Sequence, residues 1–199
     1  MGREKPTKLT DAAEIAALRA KAPDLKESLE IGRDNHPTLV NNWPTPLPAF
    51  RTTMNGFFGT CQSLHIQVMR AIALSLSLPE TYFDSYISAA DNNLRLLHYP
   101  PAPAAAFRKD EQVRAGKHSD YGSITLLFQD ARGGLQVRSP RGSWVDATPI
   151  AGTIVVNAGD LLARWSNGIV ASTEHQVVEP PSNACEPVPG EHPARYSCA

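Results

Sequence analysis

At Asp91-Asn92-Asn93 the sequence changes its period. Before this point Phe50, Met54, Phe57, Cys61, Leu64, Val68, Ile72 and Leu76 recur every three or four positions, entered through Pro46 and Pro48. That spacing predicts a long amphipathic helix whose apolar stripe, about three-sevenths of its surface, lies on a sheet. Beyond it come short β-type runs at 94–99, 123–128, 135–137, 144–145, 153–157, 173–178 and 194–198, divided by Gly, Pro and Asp. Short strands separated by turn residues favour a β-sandwich, barrel or jelly roll. Helices followed by strands give an α+β order rather than the βαβ alternation of a dinucleotide fold.

Residues 11–21 are alanine-rich with Asp11 placed as an N-cap, which predicts a short helix. Residues 25–47 read as irregular, with Trp43 as a packing anchor and Lys26-Glu27 and Arg33-Asp34 as solvated charges. Pro79 is suited to open a second short helix over 80–87. Gly133-Gly134, Arg141-Gly142 and Ala158-Gly159-Asp160 read as hairpin turns, and the proline-rich 179–193 as a long loop. There is no internal repeat and no glycine-rich phosphate cradle.

Composition narrows the partners. The 199 residues suit one core, and a net charge of −1 without blocks of like charge gives no footprint for nucleic acid or an acidic membrane, leaving a small-molecule substrate. Cys61, Cys185 and Cys198 are odd in number and lack C-x-x-C spacing, so neither a disulfide framework nor a zinc site is suggested. No apolar run approaches the ~20 residues of a membrane span, and the N-terminus lacks the apolar core of a signal peptide. The expectation is a soluble, cytoplasmic monomer.

The chemistry lies in three late motifs. In Lys117-His118-Ser119-Asp120-Tyr121-Gly122, His118 and Asp120 share a face if the backbone is extended. His175, in Ser172-Thr173-Glu174-His175, adds a second imidazole. Two imidazoles, one carboxylate and no thiolate suit non-haem Fe(II) and leave half of its coordination sphere open. Arg195-Tyr196-Ser197 puts a guanidinium fork and a hydroxyl on one face of a strand, where the far end of a dicarboxylate would be held. His65, beside the helix stripe, reads as a core histidine, and His36, His98 and His192 as structural or exposed. Asn157, Asp160, Trp165 and Asn167 read as turn and core residues outside the site.

From about Leu25 to the end, and most densely from Leu94, the chain resembles the 2-oxoglutarate and Fe(II)-dependent dioxygenases of the isopenicillin N synthase-like branch. The likeness is carried by Leu94-Arg95-Leu96-Leu97-His98-Tyr99-Pro100-Pro101, His118-Ser119-Asp120-Tyr121-Gly122, Gly134-Leu135-Gln136-Val137, Asn157-Ala158-Gly159-Asp160, Arg164-Trp165-Ser166-Asn167-Gly168, Ser172-Thr173-Glu174-His175 and Arg195-Tyr196-Ser197. The resemblance implies a double-stranded β-helix (jelly roll) core with the long helix packed outside it. It further implies iron at His118, Asp120 and His175, 2-oxoglutarate held by Arg195 and Ser197 with Tyr99 in contact, and dioxygen as oxidant. The implied reaction couples oxidative decarboxylation of 2-oxoglutarate to hydroxylation, desaturation or ring closure of a small organic substrate, plausible in secondary metabolism. The domain division expected is an N-terminal helical and irregular segment, 1–90, incomplete relative to the family, and a jelly-roll domain, 91–199, truncated at its C-terminus. Other readings are a jelly-roll metal-binding or interaction protein without turnover, and zinc-assisted hydrolysis; hydrolysis has no use for a dicarboxylate anchor.

Overall fold

The computed structural model describes residues 24–108, 113–179 and 190–199. The helix expected at 11–21 and most of the loop at 179–193 lie outside the described residues. Two antiparallel sheets form the body. The larger has the order β1-β2-β11-β5-β8, from β1 (Glu27–Ile31), β2 (Leu94–Tyr99), β11 (Arg195–Cys198), β5 (Ile124–Gln129) and β8 (Val155–Ala158). The smaller has the order β4-β9-β6-β7, from β4 (Ala115–His118), β9 (His175–Val177), β6 (Leu135–Arg138) and β7 (Trp144–Asp146). A two-stranded ladder joins β3 (Ala102–Pro103) to β10 (Glu191–His192). The architecture is the α+β jelly roll expected, with α1 (Pro48–Ser75) laid outside the larger sheet.

Helix α1 opens on Pro48, whose missing N–H costs nothing in a first turn. It closes in a Schellman motif: Leu78 N–H donates to Ala73 O (3.0 Å) and Ser77 N–H to Leu74 O (3.0 Å), with Ser77 at φ +59°. Its most buried residues are His65, Met69 and Ala73, one position along from the expected Leu64, Val68 and Ile72, which are half-buried. Met69, Ala73, Phe83 and Leu162 make one core between the helices and the sheet's outer face, where Phe83 stacks on Trp165 at 5.6 Å. Full burial of Met69 and Leu162 contributes roughly 1.5–3 kcal/mol each. A second core of Tyr99, Ala115, Leu135 and Val177, with Leu97 and Leu127 against it, lies between the two sheets.

Five expectations change. Residues 25–47 are not wholly irregular: β1 pairs with β2 in the register Leu29↔Leu96 and Ile31↔Leu94. Its alternation is carried by only two apolar side chains, so the sequence signal is weak. Arg33-Asp34 is not a free charge pair, because Asp34 accepts hydrogen bonds from Arg51, Asn55 and Trp43. Of the helix at 80–87 only α2 (Asp84–Ile87) forms, after a run of turns. Arg141-Gly142 does close the β6–β7 hairpin, whereas Gly133-Gly134 (φ +73° and +84°) carries the chain from one sheet to the other. Ala158-Gly159-Asp160 leads β8 into α3 (Asp160–Trp165) instead of into a strand. Among the described residues no helix is long and apolar enough to cross a membrane.

Cys61 and Cys198 are free thiols. Burial, with Cys61 nearby, pushes the Cys198 thiol up to about 11, so at neutral pH it is protonated and a poor nucleophile.

Candidate metal centre

The strands that enclose the inner core also place the three candidate ligands. His118 ends β4 and faces His175, its register partner at the start of β9, with ring centroids 4.3 Å apart. Asp120 lies two residues beyond the strand, in the bend that leads to β5, so its approach depends on that bend rather than on a continuous strand. Its Oδ1 stands 3.6 Å from His175 Nε2 and 4.0 Å from His118 Nε2. One ligand atom from each of the three residues lies within 4.8 Å of the others. Bonds of about 2.1 Å at right angles would bring such atoms ~3 Å apart, so side-chain adjustment of about 1 Å would close them on an ion.

Hydrogen bonds settle which ring nitrogens face inward. His118 Nδ1 lies 2.8 Å from Gly116 O and His175 Nδ1 lies 3.2 Å from Thr173 O. A carbonyl only accepts, so in each ring Nδ1 carries the proton and Nε2 keeps its lone pair for a metal. Desolvation, followed by the neighbouring His175, holds the His118 imidazole below the ordinary histidine value; its bond to Gly116 opposes this. The side chain keeps 45% of its exposure, so this is shielding by the surrounding walls and not full enclosure. A neutral imidazole is the ligating form.

The co-substrate residues named from sequence also meet. Arg195 and Ser197 point inward from β11, and Arg195 Nη1 donates to Ser197 Oγ at 3.2 Å. Arg195 Nε donates to Gly133 O (2.9 Å), Nη2 to Gln129 Oε1 (3.3 Å), and its Cζ lies 4.9 Å from the centre of the Tyr99 ring. Ser197, Arg195 and Tyr99 are all buried.

Sequence reasoning missed three residues here. Asn157 Nδ2 (2.8 Å) and Thr125 Oγ1 (2.7 Å) both donate to Asp120 Oδ2. Their signal is present but indirect: Thr125 and Asn157 are register partners across β5 and β8, and strand pairing is not visible in a single sequence. Arg114, just ahead of β4, belongs to none of the motifs singled out in the sequence and is 0% exposed. Its Nη2 donates to Pro193 O (2.8 Å), while Nε and Nη1 have no partner among the described residues. Desolvation holds the guanidinium below its ordinary value, Arg195 adds to that, and Asp130 opposes it. The other histidines have structural partners: His65 Nε2 lies 3.0 Å from Ser123 Oγ, His98 pairs with Glu27 and stacks on Tyr196, His36 receives the Thr38 and Leu39 N–H groups, and His192 meets Glu179. Trp165 is a core residue and Asn167 a turn residue at φ +52°, as expected.

His118 and Asp120 line a cavity of about 640 Å³, whose wall also includes Gln62, Asn93, Arg95 and Tyr121. Tyr121 is 87% exposed. A cavity of similar size, about 660 Å³, sits on the outer face of the larger sheet over Leu29, Leu96 and Phe128; it touches none of the three ligands and plays no part here.

A donor set of two imidazoles and one carboxylate at the end of a jelly roll defines a class, and comparison with known proteins places the chain in it. Residues 90–199 match the 2OG-Fe(II) oxygenase superfamily, and the chain belongs to that family. It is 38% identical over 186 residues to the 2-oxoglutarate-dependent dioxygenase htyE of Aspergillus rugulosus, covering 90% of this chain and 56% of that protein. It is 42% identical over 165 residues to the proline hydroxylase buaE of Petromyces alliaceus, covering 79% and 50%. The crystal structure of full-length Neurospora crassa T7H with alpha-KG and thymine is 57% identical, with a TM-score of 0.85, over 100% of this chain and 60% of that one. The chain thus spans little more than half the length of these relatives.

Proposed function

We propose that this chain carries the catalytic core of an Fe(II)- and 2-oxoglutarate-dependent dioxygenase whose primary substrate is a pyrimidine base. The observation that carries the reading is the approach of one ligand atom each from His118, Asp120 and His175 to within 4.8 Å of one another. The set fits the metal, having borderline nitrogen and hard oxygen donors and no thiolate. An orphaned group fits the co-substrate: Arg114 and Arg195 are both buried cations, and Arg114 keeps two N–H groups without partners among the described residues. A buried cation short of hydrogen bonds is costly until an anion meets it. On this reading His118, Asp120 and His175 hold iron, while Arg195, Ser197 and Tyr99 hold 2-oxoglutarate. Residues 91–199 form most of the dioxygenase domain, and 24–90 add its edge strand β1 and the helix α1 outside it.

When bound, iron supplies the redox chemistry by which 2-oxoglutarate, dioxygen and a C–H substrate become succinate, carbon dioxide and the oxidised product. The chain's own residues do the rest. Arg195 offers a planar pair of N–H groups and Ser197 a hydroxyl to the far carboxylate, with the Tyr99 ring closing one side. The Nδ1 bonds to Gly116 and Thr173 keep both imidazoles in the ligating tautomer. Tyr121, next to Asp120 on the cavity wall, offers an aromatic face on which a planar base can stack, worth ~1–3 kcal/mol. Gln62 supplies an amide that both donates and accepts, as reading the edge of a pyrimidine dione requires, while Asn93 Nδ2 (3.2 Å) and Arg95 Nη2 (2.6 Å) on the same wall are held by Glu30. The pyrimidine reading draws on T7H, solved with thymine and with 5-formyluracil at 57% identity.

We further propose a cytoplasmic monomer acting on a small molecule; the net charge of −1, without blocks of like charge, gives no electrostatic footprint for nucleic acid. The test is release of labelled carbon dioxide from 1-labelled 2-oxoglutarate by the Fe(II)-loaded chain. Thymine is expected to stimulate release at least several-fold, in step with succinate and an oxidised base. Release unchanged by thymine or uracil would remove the pyrimidine assignment, and no release with iron bound would favour a binding protein without turnover.

A further inference from the structure

The motif Asn157-Ala158-Gly159-Asp160 supplies no ligand atom to the three-residue cluster, yet it grips the loop that carries Asp120 at several points. Besides the Asn157 amide on Asp120 Oδ2, the Asp160 backbone N–H donates to Asp120 O at 2.7 Å. The Leu161 N–H reaches Tyr121 O (3.2 Å) and Gly122 O (3.1 Å), and Ser119 Oγ donates to Asp160 Oδ2 (3.2 Å). The two segments are so close that a Cβ on residue 159 would stand 2.2 Å from Gly122 O and 2.9 Å from Asp120 O. Glycine is therefore required there by space. Its φ of −97° suits any residue.

We propose that this motif, together with Thr125, is a clasp that fixes Asp120 as a single-oxygen metal ligand, an inference that rests on the metal reading above. The Thr125 hydroxyl and the Asn157 amide both donate to Oδ2. A carboxylate oxygen has about two lone-pair sites, so these donors occupy Oδ2 and leave Oδ1 directed at His118 and His175. Rotation of the carboxylate would break both bonds at once. A carboxylate held in this way takes one coordination position; gripping the ion through both oxygens would take two. Thr125, Asn157, Gly159 and Asp160 are positioning residues, acting through Asp120 and not on the substrate.

Anaerobic titration of the full chain with Co(II), followed by visible absorption, tests the clasp. Compared are the wild type, Thr125→Val, Asn157→Leu, the double variant and Thr125→Ser, with circular dichroism of the metal-free proteins confirming that each is folded. Loss of both donors is expected to weaken Co(II) binding about 10- to 100-fold, as loss of outer partners does at other metal sites. The saturated spectrum should also change as the second oxygen enters the coordination sphere, and Thr125→Ser should stay near wild type. Should the double variant not fold, Thr125→Val alone, which keeps the side-chain shape, is read in the same way. Unchanged affinity overturns the clasp, and so does weaker binding with an unchanged saturated spectrum, which would be a purely structural effect. A folded wild type that binds no Co(II) overturns the metal reading as well, and that result differs from either of the others.

Discussion

His175→Ala is expected to strip the chain of its metal, lowering Fe(II) affinity at least about a hundredfold. Loss of an outer partner alone costs 10- to 100-fold at metal sites, and this change removes a ligand whose Nε2 stands 3.6 Å from Asp120 Oδ1. Fold stability should change far less. The His175 side chain sits at the end of the inner core, and its strand still pairs through Val177 with Leu135 and Ala115. Metal content after dialysis against Fe(II) under argon, beside a melting curve of the metal-free protein, measures both. Stoichiometric iron in a folded His175→Ala protein would remove His175 from the ligand set.

Arg195→Met should leave metal affinity near wild type and raise the dissociation constant for 2-oxoglutarate about a hundredfold. Each hydrogen bond to a charged group is worth ~1.5–3 kcal/mol, and about 1.4 kcal/mol is tenfold, so losing a two-pronged contact gives an effect of that size. The variant also releases Gly133 O, Ser197 Oγ and Gln129 Oε1 from their present donor. Arg195→Lys is therefore the companion: it keeps a buried cation, loses the planar fork, and should fall between the two. Calorimetric titration of the Mn(II)-loaded proteins with 2-oxoglutarate reads the series. Equal affinity in all three would move the carboxylate anchor elsewhere, with Arg114 the first residue to test.

The strands of the second half were legible because apolar and β-branched residues fill them and Gly, Pro or Asp bound them. Each of the seven runs expected overlaps an observed strand, but β4 (Ala115–His118), which carries His118, was not among them: Ala-Gly-Lys-His has neither apolar alternation nor β-branched residues. β1 was not legible: Glu27-Ser28-Leu29-Glu30-Ile31 has two apolar residues, and its partner β2 lies more than sixty residues away. Two-residue β3 and β10 carry no pattern at all. The metal cluster could be read because ligand chemistry is written in residue types. Arg195 and Ser197 followed from strand alternation, and their inward direction agrees with the register Arg195↔Tyr99 and Ser197↔Leu97. What escaped depended on pairing between distant strands. Asn157 reaches Asp120 because β8 lies beside β5 in one particular register, and Arg114 is buried where its Nη2 meets Pro193 O, 79 residues along the chain. Neither arrangement has a local signature.

The same geometry gives meaning to the small separation of roles within one motif. In His118-Ser119-Asp120-Tyr121-Gly122 the first and third residues face the candidate ion, the second bonds to Asp160, the fourth lines the cavity, and the fifth offers its carbonyl to Leu161. The end of β4 and the bend after it thus join the candidate ligand cluster, the contacts to residues 160–161 and the cavity wall. This is why the bend, and not the strand before it, sets how Asp120 is presented.

The most direct measurement is an anaerobic titration of the purified chain with Fe(II) and then with 2-oxoglutarate, watching for the weak visible charge-transfer band of an iron-bound keto acid. Our account predicts one equivalent of each, a band that needs both, and no band in His175→Ala. A folded wild-type chain that takes up no Fe(II), or a band that persists without His175, would contradict it.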